Sequence, residues 1–138
     1  MTFKSTPYLL FDGNCEEAMT FYHDCIGGEL TVTKLGDTPM KGQFPVEKHE
    51  RVINAHLKNG DLEFSASDWM ASPEFDPVQG NTTAIFVESL TSDDARTVFN
   101  SLAVGSDTLR FQDLHEMPIG MYGQFYDRFG VQWIFLSR

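Results

Sequence analysis

The hydrophobic pattern in the first half of the chain changes period from strand to helix. A short apolar run at residues 8–11 predicts a strand, and Asp12-Gly13 after it predicts a turn. We expect a helix to follow, with Asn14 as its cap, Glu17 completing a capping box, and Gly27-Gly28 ending it. The apolar positions of this helix recur at i, i+3 and i+4 spacing: Cys15, Ala18, Met19, Tyr22 and Ile26.

Strand patterns return after the helix. Alternation at residues 29–35 predicts a strand, whereas residues 36–50, with two prolines and a central glycine, predict a loop. Residues 51–67 predict a β-hairpin, because Asn59-Gly60 at its middle is a two-residue turn that needs positive φ. Residues 69–81 contain further breakers and predict a connection.

The second half repeats the same order of elements. Residues 82–87 predict a strand, and Ser92 is expected to cap a helix that ends at Gly105. The apolar stripe of this helix consists of Ala95, Val98, Phe99 and Leu102. Three more strands are predicted at about 108–113, 121–127 and 131–136, and we expect Trp133 and Phe135 to pack in the core.

Each half therefore predicts a βαβββ module, at about residues 6–67 and 82–136. One helix cannot cover both faces of a sheet, so two halves or two chains should associate around a shared concavity. The predicted fold is α+β, with two tandem modules forming a cupped mixed sheet and the helices on its outer face. The length of 138 residues suits one domain, 1–138.

Charge and composition exclude some classes of function. The net charge of −10 and the pI near 4.6 disfavour nucleic acid and anionic membranes as partners. We see neither an apolar run of about 20 residues nor a signal peptide, which makes a cytoplasmic location the default expectation. The two cysteines, Cys15 and Cys25, share the first helix about 15 Å apart, so we expect packing roles.

The hairpin turn fixes an expected register. With Asn59-Gly60 as the turn, His56 is opposite Glu63, and the two can form a charge-assisted hydrogen bond. One face should be apolar and packed under a helix: Ile53, Ala55, Leu57, Leu62, Phe64 and Ala66. The other should be polar: Asn54, His56, Glu63, Ser65 and Ser67.

Several motifs, in the right order along nearly the whole chain, carry a family resemblance. They are residues 11–18 (FDGNCEEA), Phe21-Tyr22, Gly27-Gly28, Gly60-Asp61, Ser67-Asp68 and residues 127–133 (DRFGVQW). With these motifs the chain resembles the vicinal oxygen chelate superfamily of glyoxalase I, bleomycin-resistance proteins and extradiol dioxygenases. It is most similar to the PhnB-like branch, also called 3-demethylubiquinone 3-methyltransferase-like.

The resemblance implies positions for a metal ion, which metal-dependent members hold from the first, fourth, fifth and eighth strands. These positions fall on or beside Pro7, on Glu63, on Thr82 or Thr83, and on Ile134. Only Glu63 is a good ligand for a divalent metal. The branch often has a histidine where this chain has Asn54, so we expect no metal at the usual place and no other cofactor.

The resemblance also implies that the polar hairpin face lines the cup. We interpret His56 and Glu63 as an acid/base pair or a polar anchor for a ligand; the alternative is an ordinary cross-strand pair on a solvated face. The other candidate ligand-binding residues are Asn54, Ser65, Ser67, Trp69, Tyr122, Gln124 and Ile134. His115, next to Glu116 and before Met117-Pro118, is expected in a loop that could close over the cup.

These considerations leave three hypotheses for function. The first is a homodimer, with domain-swapped halves as an option, that binds a small apolar or aromatic molecule. The second is a metal-dependent lyase, isomerase or transferase with a shifted site around Glu63 and His56. The third is a structural dimer module without a ligand. Whether the protein catalyses a reaction is left open.

Overall fold

The computed structural model describes residues 1–70, 77–89 and 91–138, which form two compact units, Met1–Val78 and Gln79–Arg138. Among the described residues, each unit has four strands and one α-helix in the order βαβββ. The predicted half-repeats each fall inside one unit, so the α+β class and the tandem modules are confirmed. The predicted connection at 69–81 lies partly outside the described residues. None of the described helices is long and apolar enough to cross a membrane.

The first unit is a mixed four-stranded sheet with its helix on one face. Its strands lie in the order β1-β4-β3-β2, with β1 parallel to β4 and the other pairs antiparallel. Tyr22 of the helix makes an edge contact with Phe64 of the sheet, with ring centroids 5.7 Å apart. The elements are β1 (Tyr8–Phe11), α1 (Cys15–Ile26), β2 (Glu29–Lys34), β3 (Val52–Asn59) and β4 (Leu62–Asp68).

The second unit has the same topology, with strand order β5-β8-β7-β6. Phe99 of its helix lies in the core, 4.8 Å from Phe125 and 5.4 Å from Phe135 between ring centroids. Trp133 and Phe135 are buried, as predicted. The elements are β5 (Ile85–Ser89), α2 (Ser92–Leu102), β6 (Phe111–Met117), β7 (Gly120–Tyr126) and β8 (Gln132–Ser137).

Both helix caps differ from the prediction. Asn14 precedes α1 but makes no side-chain capping bond within the described residues. Instead, the Asp68 carboxylate accepts hydrogen bonds from the backbone N–H groups of Gly13 and Cys15. Thr91, and not Ser92, caps α2, because its hydroxyl accepts from the Asp94 N–H.

The strands of the second unit also depart from their expected bounds. Strand β5 begins at Ile85, three residues after the predicted start, and β6 begins at Phe111. The register of β6 shifts between Gln112 and His115. Such an irregularity disturbs the period-two alternation by which a strand is recognised. His115 therefore lies in a strand, and its assignment to a loop was wrong.

The predicted hairpin register was wrong by two residues. Asn59 pairs with Leu62, so the central turn residues are Gly60 and Asp61, and His56 pairs with Ser65. A shift of two keeps each side chain on its predicted face, because strand side chains alternate with period two.

Ile53 is the exception to that face assignment. In the β2–β3 pairing, consecutive residues Thr33 and Lys34 pair with Asn54 and Val52, which leaves Ile53 as an extra residue. Val52 is fully buried and takes the core position expected for Ile53.

Candidate functional site

The face of the first sheet opposite α1 carries a row of four cross-strand neighbours, Tyr8, Ser65, His56 and Thr31. They alternate with residues such as Phe64, which is buried against the helix. Strand pairing thus brings His56 and Ser65 together from β3 and β4. We call the exposed surface around this row the His56 face.

His56 is hydrogen-bonded through both ring nitrogens. Its Nδ1 lies 2.8 Å from Ser65 Oγ, and its Nε2 lies 2.7 Å from Glu63 Oε2. An ionised carboxylate can only accept, so Nε2 carries a proton. The serine hydroxyl either donates to Nδ1 of a neutral ring or accepts from Nδ1 of an imidazolium.

Glu63 is also paired with Lys4. The Lys4 Nζ lies 2.7 Å from each carboxylate oxygen. The hydrogen bond from Lys4 is the main cause of a lowered Glu63 pKa; partial burial opposes it, and the charges of Lys4, Lys58 and His56 add to it. The side chain of Glu63 is only 12% exposed and that of Lys4 is 65% exposed. The carboxylate of Glu63 is therefore ionised at neutral pH, largely shielded from solvent and paired with Lys4.

The order Ser65, His56, Glu63 is that of a nucleophile, a base and an orienting acid. Acyl transfer also needs N–H donors that can reach an oxyanion beside the nucleophile. The Ser65 N–H is already donated to the Pro7 carbonyl, at 3.0 Å, and β4 is paired on both sides. The arrangement is therefore better suited to hydrogen bonding a ligand than to attacking it.

The edge strand β1 contributes two large, partly apolar side chains, Tyr8 and Leu10, to the His56 face. Tyr8 is 52% exposed and Leu10 is 44% exposed, and they pair with Ser65 and Ser67 respectively. Ser67 itself is buried, whereas Asn54 on β3 is exposed. A molecule bound here would meet a hydroxyl and an imidazole beside apolar surface.

Trp69 lies just beyond β4. The backbone N–H of Trp69 donates to the Phe11 carbonyl at 2.7 Å. The backbone carbonyl of Trp69 accepts from Arg51 at 2.8 Å. Its indole Nε1 is buried without a hydrogen-bond partner among the described residues. A role of Trp69 as a wall of the ligand site stays a prediction.

The remaining predicted residues belong to the second unit. The Tyr122 hydroxyl donates to Gln124 Oε1 at 3.2 Å, and Gln124 pairs with Ile134. Ile134 in turn pairs with Phe86, which is half-exposed. The His115 ring lies 6.2 Å from that of Tyr122. These residues share the face of the second sheet that is opposite Trp133 and Phe135.

The sequence prediction missed Lys4, Tyr8 and Leu10. The signal that locates them is the parallel pairing of β1 with β4, in which Tyr8 is level with Ser65. The residues before Tyr8 then run beside the start of β4, where Glu63 lies. A βαβββ module whose first strand pairs with its last would have placed Lys4 near Glu63.

The residues at the implied metal positions do not fit a metal ion. Pro7, Thr82 and Thr83 lie outside the strands, and Ile134 has no donor atom. Both oxygens of Glu63 are engaged by Lys4. In the described ranges, the His, Cys, Asp and Glu side chains form no group of three or more that could hold a metal.

Solved structures with the same fold include a glyoxylase/bleomycin resistance protein/dioxygenase domain and an antibiotic-binding protein. A glyoxylase/bleomycin resistance protein/dioxygenase domain from Frankia sp. EAN1pec is 16% identical, with a TM-score of 0.66 and coverage of 99% of this chain and 98% of that chain. An antibiotic-binding protein from Streptomyces sp. CB03234 is 14% identical, with a TM-score of 0.53 and the same coverage. At these identities the likeness shows the fold.

More similar proteins match over nearly the full length. Protein PA1353 from Pseudomonas aeruginosa is 30% identical, with a TM-score of 0.83 over 99% of this chain and 98% of its own. A putative 3-demethylubiquinone-9 3-methyltransferase, PhnB protein, from Bacillus cereus is 24% identical, with a TM-score of 0.73 over 99% and 100%. Protein YjdN of Escherichia coli K12 is 24% identical over 94% of this chain and 91% of its own.

A family model covers almost the whole sequence. The model described as 3-demethylubiquinone-9 3-methyltransferase matches residues 3–136. Its span includes every residue of the His56 face and all the described strands and helices apart from Ser137, the last residue of β8. The chain therefore belongs to the 3-demethylubiquinone-9 3-methyltransferase family, whose fold is that of the glyoxalase/bleomycin-resistance, or vicinal oxygen chelate, proteins.

Proposed function

We propose that this protein binds a small, partly aromatic molecule on the His56 face, without the metal ion of the superfamily. The observation that carries the proposal is the hydrogen-bonded chain Ser65–His56–Glu63 beside exposed Tyr8 and Leu10. A few fixed polar groups within apolar surface are typical of small-molecule sites.

The Ser65 hydroxyl is the group we expect the ligand to contact. One of its hydrogen bonds goes to His56, which leaves it capacity for another. Because Glu63 and Lys4 hold the imidazole in place, the hydroxyl is oriented before a ligand arrives. An aromatic ring of the ligand would lie over Tyr8, with its hydroxyl or carbonyl group at Ser65.

The relatives support binding more than methyl transfer. The Streptomyces protein of the same fold is described as antibiotic-binding, which is the use of the fold that we extend to this chain. The family description names a methyltransferase. The connection between β1 and α1 is Asp12-Gly13-Asn14, with a single glycine, and it lacks the glycine-rich turn of a nucleotide-type cofactor site.

Thermal unfolding with a panel of phenols and naphthols tests the proposal. We expect saturable stabilisation by some of them, because a ligand that binds only the folded state raises its stability. Ser65→Ala and Glu63→Gln should abolish the shift. Ser5→Ala is the matched control for the serine, since Ser5 is exposed, and Glu50→Gln is the control for a lysine-paired carboxylate.

Two results would contradict the proposal and show instead that the protein is an enzyme. The first is hydrolysis of p-nitrophenyl acetate that is lost in Ser65→Ala, which would make Ser65 a nucleophile. The second is stoichiometric zinc, manganese or nickel that survives dialysis and is lost in Glu63→Ala. A panel without any stabilising compound would favour a structural module.

A further inference from the structure

The second unit contains a polar pocket that shares no lining residue with the His56 face. Its volume is about 380 Å³, within the range of small-ligand sites. One cation and no acid are found among its described lining residues: Gln79, Gly80, Asn81, Arg110, Tyr126 and Gly130. Nothing in the proposed function uses this pocket.

Arg110 is held in a fixed orientation at the pocket. Its Nε donates to Asp107 Oδ2 at 2.8 Å, and its guanidinium carbon lies 3.8 Å from the ring centroid of Tyr126. Asp107 is fixed in turn, because its Oδ1 accepts from the Leu109 N–H at 2.8 Å. The guanidinium is thus clamped between a carboxylate at one edge and an aromatic face.

The terminal edge of the guanidinium is left for a ligand. Among the described residues, the hydrogen bond through Nε is the one that the Arg110 side chain makes. Nη1 and Nη2 present parallel N–H groups that match the two oxygens of a carboxylate. A preorganised guanidinium loses little conformational entropy when it binds.

Gln79, another lining residue, makes a hydrogen bond and a close contact beside the pocket. The carboxamide of Gln79 donates to the Phe129 carbonyl at 2.6 Å and lies against the α-carbon of Gly130. Any side chain at Gly130 would collide with that carboxamide, and the φ of +81° also favours glycine. Asn81 adds a second, exposed carboxamide. The pocket therefore pairs one cation with neutral amide groups.

We propose that this pocket binds the carboxylate of a small organic acid, with Arg110 as its bidentate partner and Asn81 as a further hydrogen-bonding group. A planar carboxylate suits the single guanidinium edge. A phosphate would draw more strongly on several cations, and Arg110 is the one cation among the described lining residues.

NMR titration of the full ¹⁵N-labelled chain with benzoate tests the proposal, with benzamide and inorganic phosphate in parallel. Benzoate should give saturable shifts at the amides of Asn81, Arg110, Tyr126 and Gly130. Arg110→Gln should weaken binding about tenfold or more, since a charge-assisted hydrogen-bond pair is lost. The matched control Arg138→Gln, which removes an exposed arginine paired at 3.8 Å with Glu88, should retain the affinity.

Three outcomes would overturn the inference. Equal shifts with benzamide would show that the charge is irrelevant, and unchanged benzoate binding in Arg110→Gln would exclude the guanidinium. Binding of phosphate without benzoate would make this an inorganic oxyanion site.

If Arg110→Gln disturbed the spectrum globally, Arg110→Lys would replace it as the test variant. We expect Arg110→Lys to bind benzoate more weakly, because lysine lacks the planar edge of the guanidinium. Benzoate binding equal to that of the unmodified protein would refute bidentate contact.

Discussion

The Nε2 of His56 lies 2.7 Å from Glu63 Oε2 although the two residues are not directly opposite each other. His56 pairs with Ser65, and Glu63 pairs with Lys58. The contact is diagonal, and long side chains bridge such positions across antiparallel strands. Because Ser65 is directly opposite His56 and Glu63 is diagonal to it, the imidazole forms hydrogen bonds with both residues at once.

The first prediction concerns the charge of Glu63. Lys4→Met should raise the Glu63 pKa toward its ordinary value of 4.5, because the hydrogen bond from Lys4 is the main cause of its depression. Lys58→Met should raise it less, since Lys58 acts through charge alone. Carboxyl ¹³C NMR titration of the two variants measures the difference.

The same pKa sets a pH dependence of stability. A carboxyl whose pKa is lowered by folding stabilises the folded state above its unfolded pKa, and this stability is lost as the pH falls through the folded pKa. For Glu63 the loss occurs below about pH 4.5. Lys4→Met should reduce this acid-dependent loss; an identical pH profile in both proteins would show that the Lys4 contact does not persist in solution.

Residue faces were predictable from the sequence, but turn registers and bulges were not. Period-two alternation placed His56, Glu63 and Ser65 on one face, and a register error of two residues leaves that result intact. Asn59-Gly60 and Gly60-Asp61 both read as hairpin turns, so the sequence alone does not choose between them. The extra residue Ile53 has no local signal, because the bulge depends on pairing with β2.

Long-range partners were the other omission. Asp68 is 55 positions from Gly13, and local capping rules naturally favoured the adjacent Asn14. Lys4 is 59 positions from Glu63. Such contacts follow from the parallel β1–β4 pairing, which a periodic pattern cannot specify.

The second prediction concerns close backbone packing at Gly28. Its φ is +87°, and an added Cβ would collide with the Lys58 carbonyl and lie 3.0 Å from the Asn59 Cα. Gly28→Ala should therefore cost about 2 kcal/mol or more in unfolding free energy. Gly42 is the control, because a Cβ added there would have no atom within 4 Å. Gly42→Ala should be neutral or stabilise by up to about 1 kcal/mol in urea unfolding.

The third prediction concerns thiol reactivity. Burial, with smaller effects of Asp68 and Glu16, raises the pKa of Cys15 to about 12. Its thiolate is therefore scarce at mildly alkaline pH, and Ellman's reagent should modify the partly exposed Cys25 first. Cys25→Ser should abolish fast labelling of the native protein, and denaturant should restore one thiol. Rapid labelling of both native cysteines would contradict the buried position of Cys15.

The last prediction concerns Asp68, whose hydrogen bonds connect the end of β4 to the β1–α1 connection and to the start of β3. Its Oδ1 accepts from the N–H groups of Gly13 and Cys15, and its Oδ2 accepts from that of Val52 at 2.9 Å. Asp68 is buried, and so are its hydrogen bonds from Cys15 and Val52, so these two N–H groups have no water as a substitute. Asp127 has an equivalent role in the second unit, where it accepts from Phe129, Val131 and the Trp133 indole.

Asp68→Asn keeps the shape of the side chain but turns one acceptor into a donor. An amide nitrogen would then face at least one backbone N–H, so we expect a loss of about 2 kcal/mol in unfolding free energy. Asp61→Asn, in the exposed hairpin turn, should change it by less than about 0.5 kcal/mol. Urea unfolding with an unchanged m-value measures both. Equal midpoints for the two variants would mean that the three N–H groups find other acceptors, and α1 would then need a different N-terminal anchor.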